Sequence, residues 1–228
     1  MTIKLKKYGD YLGDGDYKIH DDIQIEGFSL QESLLKYFKN REIDKNVINY
    51  HKDKEYIYTE FRSNNYKTFD VVGFYYKSDD KNYTIHCVSA HKFTKKTKST
   101  QKKLEKIIDK IKIKLDKKYK NNEYFLYGNQ PPYTKKVKES VFKYPNKKPY
   151  GNGSKSKKIY YNFSEDATIQ LATYEWAKDA EPTWFNNVDI SYSTFDFNEW
   201  LAVQSENYWK DLISKQFLCT ELHNKKHT

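Results

Sequence analysis

Arginine is nearly absent from this chain of 228 residues: only Arg41 and Arg62 occur among its 41 basic side chains. The guanidinium fork is the favoured partner for guanine edges and for bidentate phosphate contacts, so its scarcity argues against sequence-specific reading of duplex DNA. Cysteine is also scarce. Cys87 and Cys219 are the full complement, too few for a disulfide framework, and they read as reduced core thiols. No apolar run approaches the roughly 18 residues of a membrane-spanning helix. The first residues, Met1-Thr-Ile-Lys-Leu-Lys-Lys, hold no apolar stretch of the kind a signal peptide carries. The default expectation is a cytoplasmic protein, with an exported mature form left open.

What is abundant is tyrosine and lysine. Hydrophobic residues make up only 37%, but aromatics reach 17% and tyrosine alone numbers 22. Such a chain can build a core from rings, and it lacks the aromatic poverty of disordered sequences. The net charge of +10 is unevenly spread. Between Lys92 and Lys158 there are 22 lysines against five acids, which leaves 19 of the 41 basic residues and 26 of the 31 acidic ones elsewhere. Lys, Asn, Ile and Tyr share AT-rich codons, and drift in such a genome raises lysine everywhere. It does not gather lysine into one segment.

Periodicity organises the chain. Ser29-Leu-Gln-Glu32 reads as a capping box that opens a helix with Leu30, Leu34, Leu35 and Phe38 as its apolar stripe. Strand-like runs follow at about 55–62, 68–77 and 82–93, the last two joined by the turn Ser78-Asp-Asp-Lys. A second helix spans about 100–120, capped by Ser99 or Thr100, with Leu104, Ile107, Ile108, Ile111, Leu115 and Tyr119 on one face. Further strands are expected at about 123–127, 158–163, 167–176 and 187–194, and a last helix from near Asp196. The order α-βββ-α-ββββ-α predicts an α+β fold with antiparallel sheet of six to seven strands and three helices. A single domain over 1–228 is expected, with possible halves 1–120 and 121–228. Residues 128–158, which hold all five prolines but one outside any regular pattern, read as a long basic loop.

The candidate chemical motifs mostly fail on counting. Gly9–Asp22 holds five aspartates among three glycines. Setting Asp10 first in a calcium loop puts Gly15 correctly at position 6, but Leu12 falls at position 3 and cannot coordinate. The stretch reads as a turn, with a cation site as the lesser alternative. His20-Asp21 lacks the further helical ligands of metal phosphohydrolases. Cys87 and His91 share a strand face but lie about 13 Å apart by strand rise, so they form no nucleophilic pair; His86 and His91 read as ordinary strand histidines. Gly151-Asn-Gly-Ser-Lys-Ser156 lacks the leading glycine of a phosphate-binding loop. Trp176, Trp184, Trp200 and Trp209 read as core.

Charge leaves the sharpest signal. Lys103, Lys106, Lys110, Lys114 and Lys117 recur at spacings of three and four, one ridge on the second helix. Lys135, Lys136 and Lys138 follow, interleaved with Tyr133, Phe142 and Tyr144. Cations with rings suit a single-stranded backbone whose bases stack. These eleven residues form the candidate anion-binding set. No catalytic residue, metal ligand or cofactor is assigned.

Three stretches carry a resemblance: Ile25-Glu-Gly-Phe-Ser-Leu-Gln-Glu-Ser-Leu-Leu-Lys-Tyr-Phe, Lys81-Asn-Tyr-Thr-Ile-His-Cys-Val-Ser and Phe195–Leu201. They resemble a loose group of small bacterial proteins from lysine-rich proteomes, some with export signals. The likeness implies no activity and no site residue, and keeps an exported location open. The expected function is a non-catalytic binding module contacting an anionic partner: single-stranded nucleic acid, an anionic polymer or an acidic protein. The alternatives are an assembly scaffold whose lysines only solvate it, and an enzyme using a cation at Asp10–Asp22.

Overall fold

The computed structural model describes residues 3–5, 23–48, 53–63, 65–120, 134–144, 146–163 and 167–204. Its elements are β1 (Ile3–Leu5), β2 (Ile23–Ile25), a 3-10 turn (Leu34–Lys36), α1 (Asn40–Lys45), β3 (Val47–Ile48), β4 (Tyr56–Arg62), β5 (Val71–Lys77), β6 (Cys87–Phe93), α2 (Thr97–Lys120), β7 (Thr134–Lys143), β8 (Lys155–Phe163), β9 (Ala167–Glu175) and β10 (Asn187–Thr194). A last helix, α3, covers 195–204. The class is α+β, as expected, but the main sheet has eight strands in the order β3-β4-β5-β6-β10-β9-β8-β7. Every neighbouring pair in it is antiparallel. β1 and β2 form a separate two-stranded ribbon.

The sheet is two consecutive four-stranded meanders joined where β6 meets β10. Strand alternation assigns each side chain to one of two faces. On one face Val72, Phe74, Val88, Ala90, Leu171, Val188, Ile190 and Tyr192 build the main core. Two pieces cover it. α2 spends Leu104, Ile108 and Ile111 on this face and packs mainly on β9 and β10. The segment 23–43 adds Ile23, Ile25, Phe28, Leu30, Leu34 and Ile43. Phe28 meets Phe74 edge-on at 4.7 Å, and Phe38 stacks on Phe61 at 3.9 Å. The second face is covered at one end only, among the described residues, where Phe197 and Trp200 of α3 pack on Tyr56 and Cys87.

Three expectations are corrected. Residues 29–38 do not form a helix. Ser29 is buried and Gln31 takes φ of 62°. The segment's backbone bonds run instead to the stretch before β6: Gln31 N–H donates to Ile85 O, Ile85 N–H to Glu32 O, and Leu34 N–H to Tyr83 O. Helix propensity is a weak preference, and here tertiary pairing overrides it. Ser33 caps only the short 3-10 turn, and α1 begins at Asn40. The Glu26 carboxylate accepts from the backbone N–H groups of Lys67, Thr68 and Phe69, tying the segment to the β4–β5 connection.

The long basic loop expected over 128–158 is largely a hairpin: β7 takes ten of its residues and β8 begins at Lys155. Lys-Lys-Val-Lys-Glu-Ser-Val-Phe-Lys hides its strand character because β7 is a sheet edge, where lysine protects the open ladder from pairing with other chains. β6 also starts at Cys87 rather than 82, because Asp80 accepts from the N–H groups of Asn82 and Thr84 and extends the turn. The strand expected at 123–127 and the Gly9–Asp22 stretch lie outside the described residues. No described helix is long and apolar enough to cross a membrane.

Ile108 is fully buried while Lys106, two residues earlier, is exposed. Ile108→Ala should lower the unfolding free energy by about 2–5 kcal/mol, and Lys106→Ala by no more than about 0.5 kcal/mol. Urea titration of the two variants measures both.

Candidate functional site

The lysines of α2 whose side chains are described take the side of the helix that the sheet does not use. Lys102, Lys103, Lys106 and Lys110 are all exposed. Among the described side chains, lysine ion pairs join Lys36 to Glu32, Lys92 to Asp70 and Lys155 to Glu175, and none involves these four. Lys114 and Lys117 continue along α2. Lys135, Lys136 and Lys138 lie on β7, while Tyr133 is outside the described residues.

The candidate set does not gather on one surface. Phe142 pairs in register with Ser156, and Lys138 with Tyr160. Both are positions of the second sheet face, opposite the one α2 covers. What joins the two sides is the first turn of α2. Thr97 Oγ1 donates to Glu175 Oε1 at 2.9 Å, and Lys155 Nζ lies 3.0 Å from Glu175 Oε2. Partial burial works to raise the Glu175 carboxyl, but bonds from Lys155 and Thr97 and the charges of Lys155 and Lys98 hold it below its ordinary value. Lys95, Lys96 and Lys98 are thereby held at the end of the sheet where the β7–β8 and β9–β10 loops emerge.

Those loops carry a ring cluster. Trp176 lies 4.6 Å from Trp184 and 5.0 Å from Tyr144, and Tyr144 stacks on Tyr150 at 5.0 Å. The tryptophans thus divide: Trp200 is buried, Trp176 and Trp184 are half-buried, and Trp209 is outside the described residues.

The second face also holds a charged network in a cleft of about 410 Å³. The β6–β10 register sets His91 opposite Asp189, and His91 Nδ1 lies 2.8 Å from Asp189 Oδ1. Across the ring, His91 Nε2 is 3.5 Å from the Tyr58 hydroxyl. That hydroxyl donates to Glu60 Oε2 at 3.2 Å and lies 3.3 Å from Ser89 Oγ. Tyr58 can lie flat because Gly73 sits beneath it; any Cβ there would collide with the tyrosine ring.

Burial opposes charge on His91, yet the hydrogen bond and charge of Asp189, together with Glu60, hold its pKa above the ordinary histidine value. His86 is the contrast. Burial and the Lys77 charge push it down, against the weaker pull of Asp196 and Asp80. Burial likewise lowers Lys158, partly offset by Asp189, and pushes the Cys87 thiol far up. Asp189 in contact with the ring, and Glu60 through the Tyr58 hydroxyl, offset the cost of charging His91, so the network fixes side chains on the open face. Among the described residues Ser89 and His91 are joined only through the Tyr58 hydroxyl. Among the described residues no group of three His, Cys, Asp or Glu side chains could hold a metal ion.

Reading His91 as an ordinary strand histidine missed this pair. The signal was strand alternation: Asn187, Asp189, Ser191 and Ser193 on β10, with Ser89 and His91 on β6, keep one face polar. A scan against protein-family models finds no match, and searches of the curated proteins and of the solved structures find none either.

A raised histidine pKa contributes stability that is complete below the unfolded value of about 6.5 and is lost as pH rises through the folded value. Asp189→Asn should therefore move the His91 titration downward in histidine NMR spectra. The stability gap between wild type and variant should be widest at low pH and narrow as pH rises.

Proposed function

We propose that this protein is a non-catalytic binding module that contacts an anionic partner through its lysine-rich surface. One observation carries the reading. α2 buries its apolar stripe on the sheet and leaves Lys102, Lys103, Lys106 and Lys110 exposed, with no acidic side chain among the described residues paired to them. Like charges three or four positions apart each cost a helix a few tenths of a kcal/mol. Phosphate or carboxylate groups bound there offset that cost, and released counterions add to the affinity.

The test is binding of a fluorescein-labelled single-stranded oligonucleotide, followed by anisotropy as salt is raised. Affinity should fall steeply. The triple variant Lys103→Glu, Lys106→Glu, Lys110→Glu should flatten the log–log slope by at least about 2, since each neutralised phosphate of a single strand adds about 0.7 to it. Binding that ignores salt, or that survives the triple variant unchanged, rejects the reading.

Assembly through aromatic and apolar surface is the second reading, favoured by the edge strand β7, where Val141 is 62% and Phe142 42% exposed. Under it, sedimentation velocity should show a concentration-dependent oligomer that Val141→Lys dissociates. A monomer at all concentrations removes it.

A further inference from the structure

Residues 146–154 and 176–186 lock into each other. Asn152 N–H lies 3.0 and 3.2 Å from the two carboxylate oxygens of Asp179. Ala177 N–H donates to Ser154 Oγ at 2.7 Å, Ser154 Oγ–H donates to Tyr150 O, and Glu181 N–H donates to Pro149 O at 2.8 Å. Gly151, at φ of 73°, presses so close that a Cβ would fall 2.6 Å from Ala180 N. Trp176 N–H donates to Asn186 Oδ1 at 2.7 Å, and Trp184 N–H to Glu181 O at 2.9 Å.

These bonds fix the rings that the loops display. Tyr144, Tyr150, Tyr174, Trp176 and Trp184 are each half-buried, so each is held by neighbours and still reaches solvent. Tyr174 stacks near-parallel with Trp176 at 5.9 Å. Phe142, 42% exposed, extends the row edge-on to Tyr144 at 4.9 Å. Rings fixed beforehand lose little freedom when a ligand stacks on them.

The same loops are cationic. Lys147, Lys148 and Lys178 are exposed on them, as is Lys143 at the end of β7, and Lys95, Lys96 and Lys98 flank Thr97, which bonds Glu175. Two of the nearby acids are already engaged: Asp179 accepts from the Asn152 amide, and Glu175 from Lys155 and Thr97.

We propose that this end of the sheet is a stacking platform for the bases of single-stranded nucleic acid, with the loop lysines meeting its phosphates. The proposal rests on the anion-binding reading above and names its partner. Partly exposed rings at the end of the sheet that also carries exposed lysines match a ligand that alternates aromatic planes with anions. A duplex hides those planes in its own stack, and reading its base edges calls on arginine, of which this chain has two. Stacking tolerates any base, so little sequence preference is expected.

An oligothymidylate and an abasic oligonucleotide of equal length separate bases from phosphates. The oligothymidylate should quench tryptophan emission and bind at least about tenfold more tightly than the abasic strand, the scale of stacking on one or two rings. Trp184→Ala, with its melting temperature checked, should remove most of that difference and leave abasic binding unchanged. Equal binding of the two strands, without quenching in the wild type, overturns the platform while the lysine surface stands. That comparison needs no variant to fold. Binding of neither strand overturns both the platform and the anion-binding reading.

Discussion

The pairing of β6 with β10 holds the two meanders in one sheet. Seven register positions, from Asn187 with Phe93 to Ser193 with Cys87, bring together strands almost a hundred residues apart. They align Val88 and Ala90 with Ile190 and Tyr192 on the covered face, and His91 with Asp189 on the other. A slip of one residue would exchange these faces throughout the joint and set apolar side chains in water. Both the core under α2 and the charged network on the open side therefore depend on one ladder. The polar face helps to specify it, because burying Asp189 or His91 without the other would leave an uncompensated charge.

The helices divide the work between the faces. α2 follows the first meander but packs on β9 and β10 of the second, while α3 follows the second and packs on Tyr56 and Cys87 of the first. Each meander is thus clasped by the helix that follows the other, on opposite sides of the sheet. This cross-bracing leaves α2 with one face in the core and one in water. It also opens the far end of the sheet, where two loops that close on each other can carry rings without burying them.

Elements whose pattern is self-contained were legible in the sequence. α2 announced itself through Leu104, Ile108 and Ile111, and β9 and β10 through alternation over Ala167–Leu171 and Asn187–Tyr192. Elements defined by distant partners were not. Ser29–Phe38 carries helix-like spacing, but its amide groups serve Tyr83 and Ile85. β7 looked like a loop because an edge strand in water has little need of alternating apolar residues. The His91–Asp189 pair depends on register between distant strands, which composition and local spacing do not encode. The lysine ridge was visible, but its separation from Phe142 and Tyr144 by the thickness of the sheet was not.

Cys87 gives α3 an unexpected use. Its thiol is 2% exposed, packed beneath Phe197 and Trp200, and burial holds it in the unreactive protonated form. Alkylation needs the thiolate and access to it, and Phe197 and Trp200 of α3 pack against this residue, so labelling should speed up when α3 lifts from the sheet. The rate of Cys87 labelling in the native state is then a clock for that local opening, separate from global unfolding. The residue that offered no catalysis supplies the protein with its own reporter of how firmly the two meanders are clasped.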